Sequence, residues 1–128
     1  MEKVTKIKLF LPILSLLPKG KLLDVGCSYG NFLLIAKNKG FEVYGMEVSE
    51  TAVEIARKKY NLNVVKALTF DELLEDFKGP YKVITAFEVI EHIEKPLKFL
   101  QGVYNLLDNT GFFSFLVVSI ISNLKILL

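Results

Sequence analysis

This chain of 128 residues has a single cysteine, no block of basic residues, and no internal repeat, low-complexity stretch or linker. Each absence closes a class of function. The lone Cys27 excludes an internal disulfide and suits a reducing, cytoplasmic setting. A net charge of +2 without clustering gives no electrostatic footprint for nucleic acid. No membrane-spanning segment is expected either. Phe112–Leu128 is apolar, but Ser114, Ser119, Ser122, Asn123 and Lys125 interrupt it, and it falls short of the ~20 residues a spanning helix needs. Ile7–Leu17 follows lysines as a signal peptide would. Yet Glu2 sits among those lysines, Pro12 and Pro18 interrupt the run, and no small-residue cleavage site precedes Lys21. A helix over 4–17 is the expectation.

What is present is apolar: 52% hydrophobic residues and a mean hydropathy of +0.40, high for a soluble protein. A single domain of this length can bury ~65–70% of its unfolded surface, enough for a core. Strand and helix patterns alternate strictly. Strands are expected at 21–25, 41–46, 63–66, 81–86 and 111–119, and helices at 30–39, 50–60, 70–76 and 96–107. Ser49 suits a helix N-cap, Thr69 with Glu72 has capping-box spacing, and Pro96 suits a first helical turn. Leu97, Leu100, Val103, Tyr104 and Leu107 repeat at helical spacing. The alternation implies a doubly wound α/β fold, a parallel sheet between two helix layers. The boundaries expected are an N-terminal helix in 1–19, a Rossmann-like core in 20–120 and an apolar tail in 121–128.

The most informative stretch is Leu22-Leu-Asp-Val-Gly-Cys-Ser-Tyr-Gly30, with Glu47 beyond the second strand. A glycine turn between strand and helix lets a ligand approach the backbone, and a carboxylate at the next strand end can accept hydrogen bonds from a ribose diol. A nucleoside-bearing cofactor follows. The dinucleotide fingerprint is G-x-G-x-x-G, whereas this loop runs Asp24-Val25-Gly26-Cys27-Ser28-Tyr29-Gly30. A carboxylate at Asp24 repels a pyrophosphate and attracts a cation. S-adenosylmethionine, with an ammonium, a sulfonium, a ribose and no phosphate, fits that charge better than NAD.

These residues resemble the first motif, roughly (E/D)-x-G-x-G-x-G, of the class I S-adenosylmethionine-dependent methyltransferases, with Ser28 in place of a glycine. The resemblance covers about residues 20–120. It implies a cofactor site made by Asp24, Gly26, Cys27, Ser28, Gly30, Met46, Glu47, Val48, Ala67, Leu68 and Phe87. In that site Val48 packs on adenine, and residues 67–68, which carry no acid here, grip the adenine edge. The backbone of Phe87 faces the methionine part. Cys27 is a small loop residue rather than a nucleophile, because in-line methyl transfer needs none.

Phe87-Glu-Val-Ile-Glu-His-Ile93 looks like the E-V-x-E-H segment that follows the fourth strand in ubiquinone-type and related small-molecule methyltransferases. Glu88, Glu91 and His92 at i, i+3 and i+4 would share one face of a helical turn. They could hold a divalent cation or position an acceptor's proton. Some quinone-precursor and small-RNA methyltransferases use such a set for a metal. Here no tight metal site is expected, and His92 and Glu88 are the catalytic candidates. Two positions depart from the family pattern. Tyr81-Lys82 stands where an aromatic-Asp pair usually opens the fourth strand, and Asp108-Asn-Thr-Gly111 replaces a Lys-Pro-Gly-Gly turn.

The family's sheet has seven strands, and the pattern here provides five. The expectation is therefore a methyltransferase of small molecules lacking the last two strands. Alternatives are a truncated homologue that binds the cofactor without turnover and an NAD-dependent oxidoreductase. A fifth strand left at the sheet edge, rich in Phe and Val, predicts a homodimer through that strand and the tail.

Overall fold

The computed structural model describes residues 3–69, 77–87, 89–108 and 115–118. In order these form α1 (Lys3–Leu16), β1 (Lys21–Val25), α2 (Asn31–Asn38), β2 (Glu42–Glu47), α3 (Glu50–Lys58), β3 (Val64–Lys66), β4 (Val83–Ala86), α4 (Pro96–Leu106) and β5 (Phe115–Val118). The five strands make one parallel sheet in the order β3-β2-β1-β4-β5. The chain starts at the centre, winds outward to β3, then crosses to β4 and β5. Parallel neighbours need crossover connections, and α2, α3 and α4 supply those from β1 to β2, β2 to β3 and β4 to β5. The expected doubly wound α/β architecture is observed.

Side-chain alternation assigns the two faces. Leu22, Val83, Phe32, Leu33, Ala36, Val53 and Ala56 build one core with Phe10 and Leu14 of α1. Leu23, Val25, Met46, Ile84 and Ala86 build the other with Phe99, Val103 and Leu106 of α4. Thus α1, α2 and α3 cover one face, and α4 covers the other.

Local chemistry explains the element ends. The Ser49 hydroxyl accepts from the Ala52 N–H at 3.3 Å and caps α3. Pro96 occupies the first turn of α4, where its missing N–H costs nothing. Pro12, read from sequence as an interruption, lies inside α1. Its fixed φ is helical, so it removes one backbone hydrogen bond without ending the helix.

Three expectations need correction. In α4 the apolar repeat read from the sequence was Leu97, Leu100, Val103, Tyr104 and Leu107. Instead Phe99, Val103 and Leu106 are buried, while Leu97 is 83% and Tyr104 72% exposed. Both stripes have helical spacing, and only the seating of the helix on the sheet distinguishes them. The fourth strand was expected from residue 81, but β4 begins at Val83, and Tyr81 makes an isolated bridge to Leu107. The third concerns the turn after β4 and is taken up with the site. The expected helix at 70–76, with Glu72, lies outside the described residues, as do 111–114, Ser119 and the tail.

The two departures from the family pattern meet in space. Lys82 forms an ion pair with Asp108, whose side chain is 8% exposed. The Asp108 N–H donates to the Tyr81 carbonyl at 2.8 Å, and the Tyr81 N–H donates to that of Leu106 at 2.8 Å. Where the family pattern has Asp and Lys at these positions, this chain has Lys and Asp. The charge signs are exchanged between the two positions, and in this chain the two residues pair.

Candidate functional site

The Gly26–Gly30 loop folds over the carboxyl end of β1. Its backbone is left-handed at Gly26 (φ 77°), Ser28 (φ 54°) and Gly30 (φ 92°). Glycine adopts that region freely, and Ser28 does so at a cost. The middle position thus keeps the conformation of a glycine although it carries a hydroxymethyl group. Gly30 is also required by packing, since a Cβ there would stand 2.4 Å from Leu62 Cδ1. The first two loop amides, Gly26 and Cys27, donate to the Met46 carbonyl at 2.7 and 3.1 Å, which anchors the loop to β2. Cys27 is buried, and its Sγ would lie 2.7 Å from a Cβ at Gly45. Gly45 is a structural requirement that sequence reading did not single out. Its signal was a glycine inside a strand pattern, which marks close approach of a neighbour.

Glu47 closes the site on the β2 side. It is 7% exposed. Its Oε1 accepts from the Ser28 N–H at 2.9 Å, and its Oε2 accepts from Val48 and Ser49 at 2.8 and 2.7 Å. One carboxylate therefore ties the glycine loop to the start of α3. A carboxylate has about four acceptor sites. Three are used, so Oε1 keeps one, and a diol donating twice must share or displace an amide.

Asp24 lies in β1, the strand that leads into the glycine loop. It is 2% exposed, and its Oδ1 accepts from the Thr85 hydroxyl at 2.7 Å. The pair bridges β1 and β4, whose register sets Asp24 beside Thr85. Thr85 was missed, although a lone hydroxyl within the buried Val83-Ile-Thr-Ala86 run was a signal. A buried carboxylate in this place disfavours a phosphate and accommodates a cation, so the residues fit a nucleoside cofactor with positive rather than negative charge.

The remaining candidates spread along the same end of the sheet. Met46 and Phe87 are buried, and Val48 is half-buried. Ala67 is buried and its N–H donates to the Glu47 carbonyl at 2.9 Å, whereas Leu68 is 77% exposed. After β4 the chain makes a single 3-10 turn, Ile90–His92, instead of the α-helical turn expected. Glu91 and His92 lie on that turn. The His92 side chain is 65% exposed and its Nε2 lies 4.0 Å from Glu91 Oε1. Glu88 lies outside the described residues. Among the described residues no group of three His, Cys, Asp or Glu side chains could hold a metal ion, and no helix is long and apolar enough to cross a membrane.

The profile of the methyltransferase domain matches residues 2–122. The chain belongs to the class I S-adenosylmethionine-dependent methyltransferase family. Among curated relatives, the ubiquinone biosynthesis O-methyltransferase of Acinetobacter baylyi is 28% identical over 101 residues, covering 73% of this chain and 42% of that protein. Its namesake from Pseudomonas aeruginosa is 25% identical over 95 residues, covering 71% and 41%. This methyltransferase-family chain thus spans about two fifths of the length of the curated relatives it matches. Among solved structures, an S-adenosylmethionine-dependent methyltransferase from Archaeoglobus fulgidus superposes with a TM-score of 0.67 at 22% identity, covering 84% of this chain and 49% of that one. The magnesium protoporphyrin IX methyltransferase of Synechocystis, solved with bound S-adenosylmethionine, gives 0.68 at 20% identity, covering 81% and 54%. At such identities the likeness establishes a shared fold.

Proposed function

We propose that this chain binds S-adenosylmethionine at the carboxyl ends of β1 and β2 and serves methyl transfer to a small-molecule acceptor. The observation that carries the reading is Glu47, a buried carboxylate that organises the glycine loop and keeps an acceptor site for a ribose hydroxyl. Gly26, Ser28 and Gly30 shape the loop, and Cys27 and Met46 pack beneath it. Val48, Ala67 and Leu68 are assigned to the adenine side, and the Phe87 backbone to the methionine side. When bound, the cofactor supplies an electrophilic methyl group on a sulfonium that an acceptor attacks in line. The chain's part is then proximity and orientation. His92, with Glu88, is assigned to the acceptor, as base or orienter of its proton. Similarity to the ubiquinone biosynthesis O-methyltransferases supports an oxygen acceptor on a small molecule.

Calorimetric titration with S-adenosylhomocysteine and with NAD tests this. Binding of the first alone is expected, and binding of NAD alone overturns the reading in favour of an oxidoreductase. A second reading is binding of the cofactor without turnover. Cofactor binding with no transfer across a broad acceptor panel would select it. We further propose a homodimer through β5, the outermost strand on its side of the described sheet, with the cytoplasm as its setting. Light scattering at low micromolar concentration should give a dimer that Phe115→Lys or Val117→Lys dissociates. A monomer unaffected by either change overturns it.

A further inference from the structure

Three phenylalanines from distant parts of the chain meet below the carboxyl end of the sheet. Phe32 is in the first turn of α2, just past Gly30, and Phe87 directly follows β4. Their rings lie 5.3 Å apart at 73°. Phe10 of α1 touches both, 6.1 Å from Phe32 and 5.9 Å from Phe87, edge-on to the latter at 64°. None of the three is more than 4% exposed. Edge-on aromatic pairs of this kind have a preferred geometry beyond simple burial, so the three rings set one another's positions.

We propose that Phe10 is a positioning residue for the cofactor site, a wedge that fixes the separation of the glycine loop from the chain leaving β4. The inference rests on the cofactor assignment above. Its warrant is connectivity. Each ring that Phe10 touches belongs to a different wall of the site, Phe32 to the helix that follows the glycine loop and Phe87 to the chain that leaves β4. Interiors are close-packed, and neighbours relax only partly into the space left by a deleted ring. Movement of Phe32 or Phe87 toward that space carries the attached loop with it. The Ser28 N–H, bonded to Glu47, stands only a few residues from Phe32.

The test compares Phe10→Ala and Phe10→Leu with Phe99→Leu. Phe99 is a control of matched chemistry, 1% exposed and on the opposite face of the sheet. Two quantities are measured: affinity for S-adenosylhomocysteine, and amide hydrogen exchange at Ser28–Asn31 and Phe87. Phe10→Ala should weaken binding about tenfold, the scale of a modest misplacement of binding groups. It should also speed exchange at those amides, with Phe10→Leu intermediate. Phe99→Leu should lower the melting temperature while leaving both quantities near wild type. Equal effects of the Phe10 and Phe99 changes would overturn the proposal. A wild-type chain that binds no S-adenosylhomocysteine would overturn the cofactor reading instead, and the exchange comparison would still decide the role of Phe10. If Phe10→Ala does not fold, Phe10→Leu carries the comparison.

Discussion

Glu47 and His92 both stand beyond or at the carboxyl end of a parallel strand, yet their surroundings are unlike. Glu47 is 7% exposed and accepts three backbone hydrogen bonds from two separate segments. His92 has a side chain 65% exposed, on a single 3-10 turn, with Glu91 at 4.0 Å. On the β1–β2 side the site is organised in advance by short bonds to backbone. On the β4 side no comparable bonds hold the candidate imidazole among the described residues. The difference teaches that strand ends and one loop suffice to organise a carboxylate in advance, whereas an exposed side chain on a single 3-10 turn is not organised in that way.

The largest expected effect breaks the organised side. Glu47→Ala removes the acceptor of three amides together with the proposed ribose bonds. Charge-assisted hydrogen bonds are worth about 1.5–3 kcal/mol, so S-adenosylhomocysteine affinity should fall roughly ten- to a hundredfold, with a lower melting temperature. Unchanged affinity by calorimetry would remove the ribose assignment. Glu47→Gln keeps one acceptor oxygen, so it should lose either the bond to Ser28 or those to Val48 and Ser49 and lower the melting temperature as well.

Next in size is the β4 side's own anchor. Lys82→Asp places two acids together, and Asp108→Lys two bases. For a partly buried pair each should cost about 1–3 kcal/mol in chemical denaturation, between the values for exposed and buried ion pairs. The double exchange Lys82→Asp with Asp108→Lys should recover most of that loss. Additive losses would show that the contact does not matter. Recovery would show that the β4 side is held at its amino end, leaving only its carboxyl end loosely bonded.

Smaller is the effect at Ser28. Glycine relieves a left-handed strain of about 1 kcal/mol and loses roughly 0.5–1 kcal/mol of chain entropy. Ser28→Gly should therefore change the melting temperature little and leave S-adenosylhomocysteine affinity at or above wild type. A clear loss of affinity would mean that the Ser28 hydroxyl itself contacts the cofactor.

The smallest effect sharpens the comparison from the other side. His92→Ala should leave S-adenosylhomocysteine affinity within about twofold, because an exposed side chain with one long ionic contact contributes little. It should lower any methyl transfer that is found. Magnesium or zinc should not raise the melting temperature of either protein. A metal-dependent rise lost in His92→Ala would restore the metal reading of the Glu-x-x-Glu-His segment.

Much of the organised side was legible because its signals are local. A glycine turn between an apolar strand and a helix, with an acid one strand later, specifies backbone conformations within a few residues of each signal. The β4 side was less legible. The i, i+4 argument for Glu88 and His92 assumed an α-helical turn, and a 3-10 turn was found at 90–92. In α4 two apolar stripes satisfied the same periodicity, and of the repeat read from the sequence Leu97 and Tyr104 face outward. Sequence spacing gives a face but not which face meets the sheet.

The amino-acid sequence by itself determined the alternation of strands and helices, the left-handed glycine loop and the acid that closes it, because hydrophobic period and backbone sterics act over short separations. Only the tertiary structure decided the partners of distant groups. Asp24 meets Thr85 across β1 and β4, Lys82 meets Asp108 with exchanged signs, and Phe10 meets Phe32 and Phe87. Those contacts exist because the strand order places β4 beside β1 and seats α1 with α2 on one face. Crossover geometry imposes that arrangement, and no local pattern encodes it.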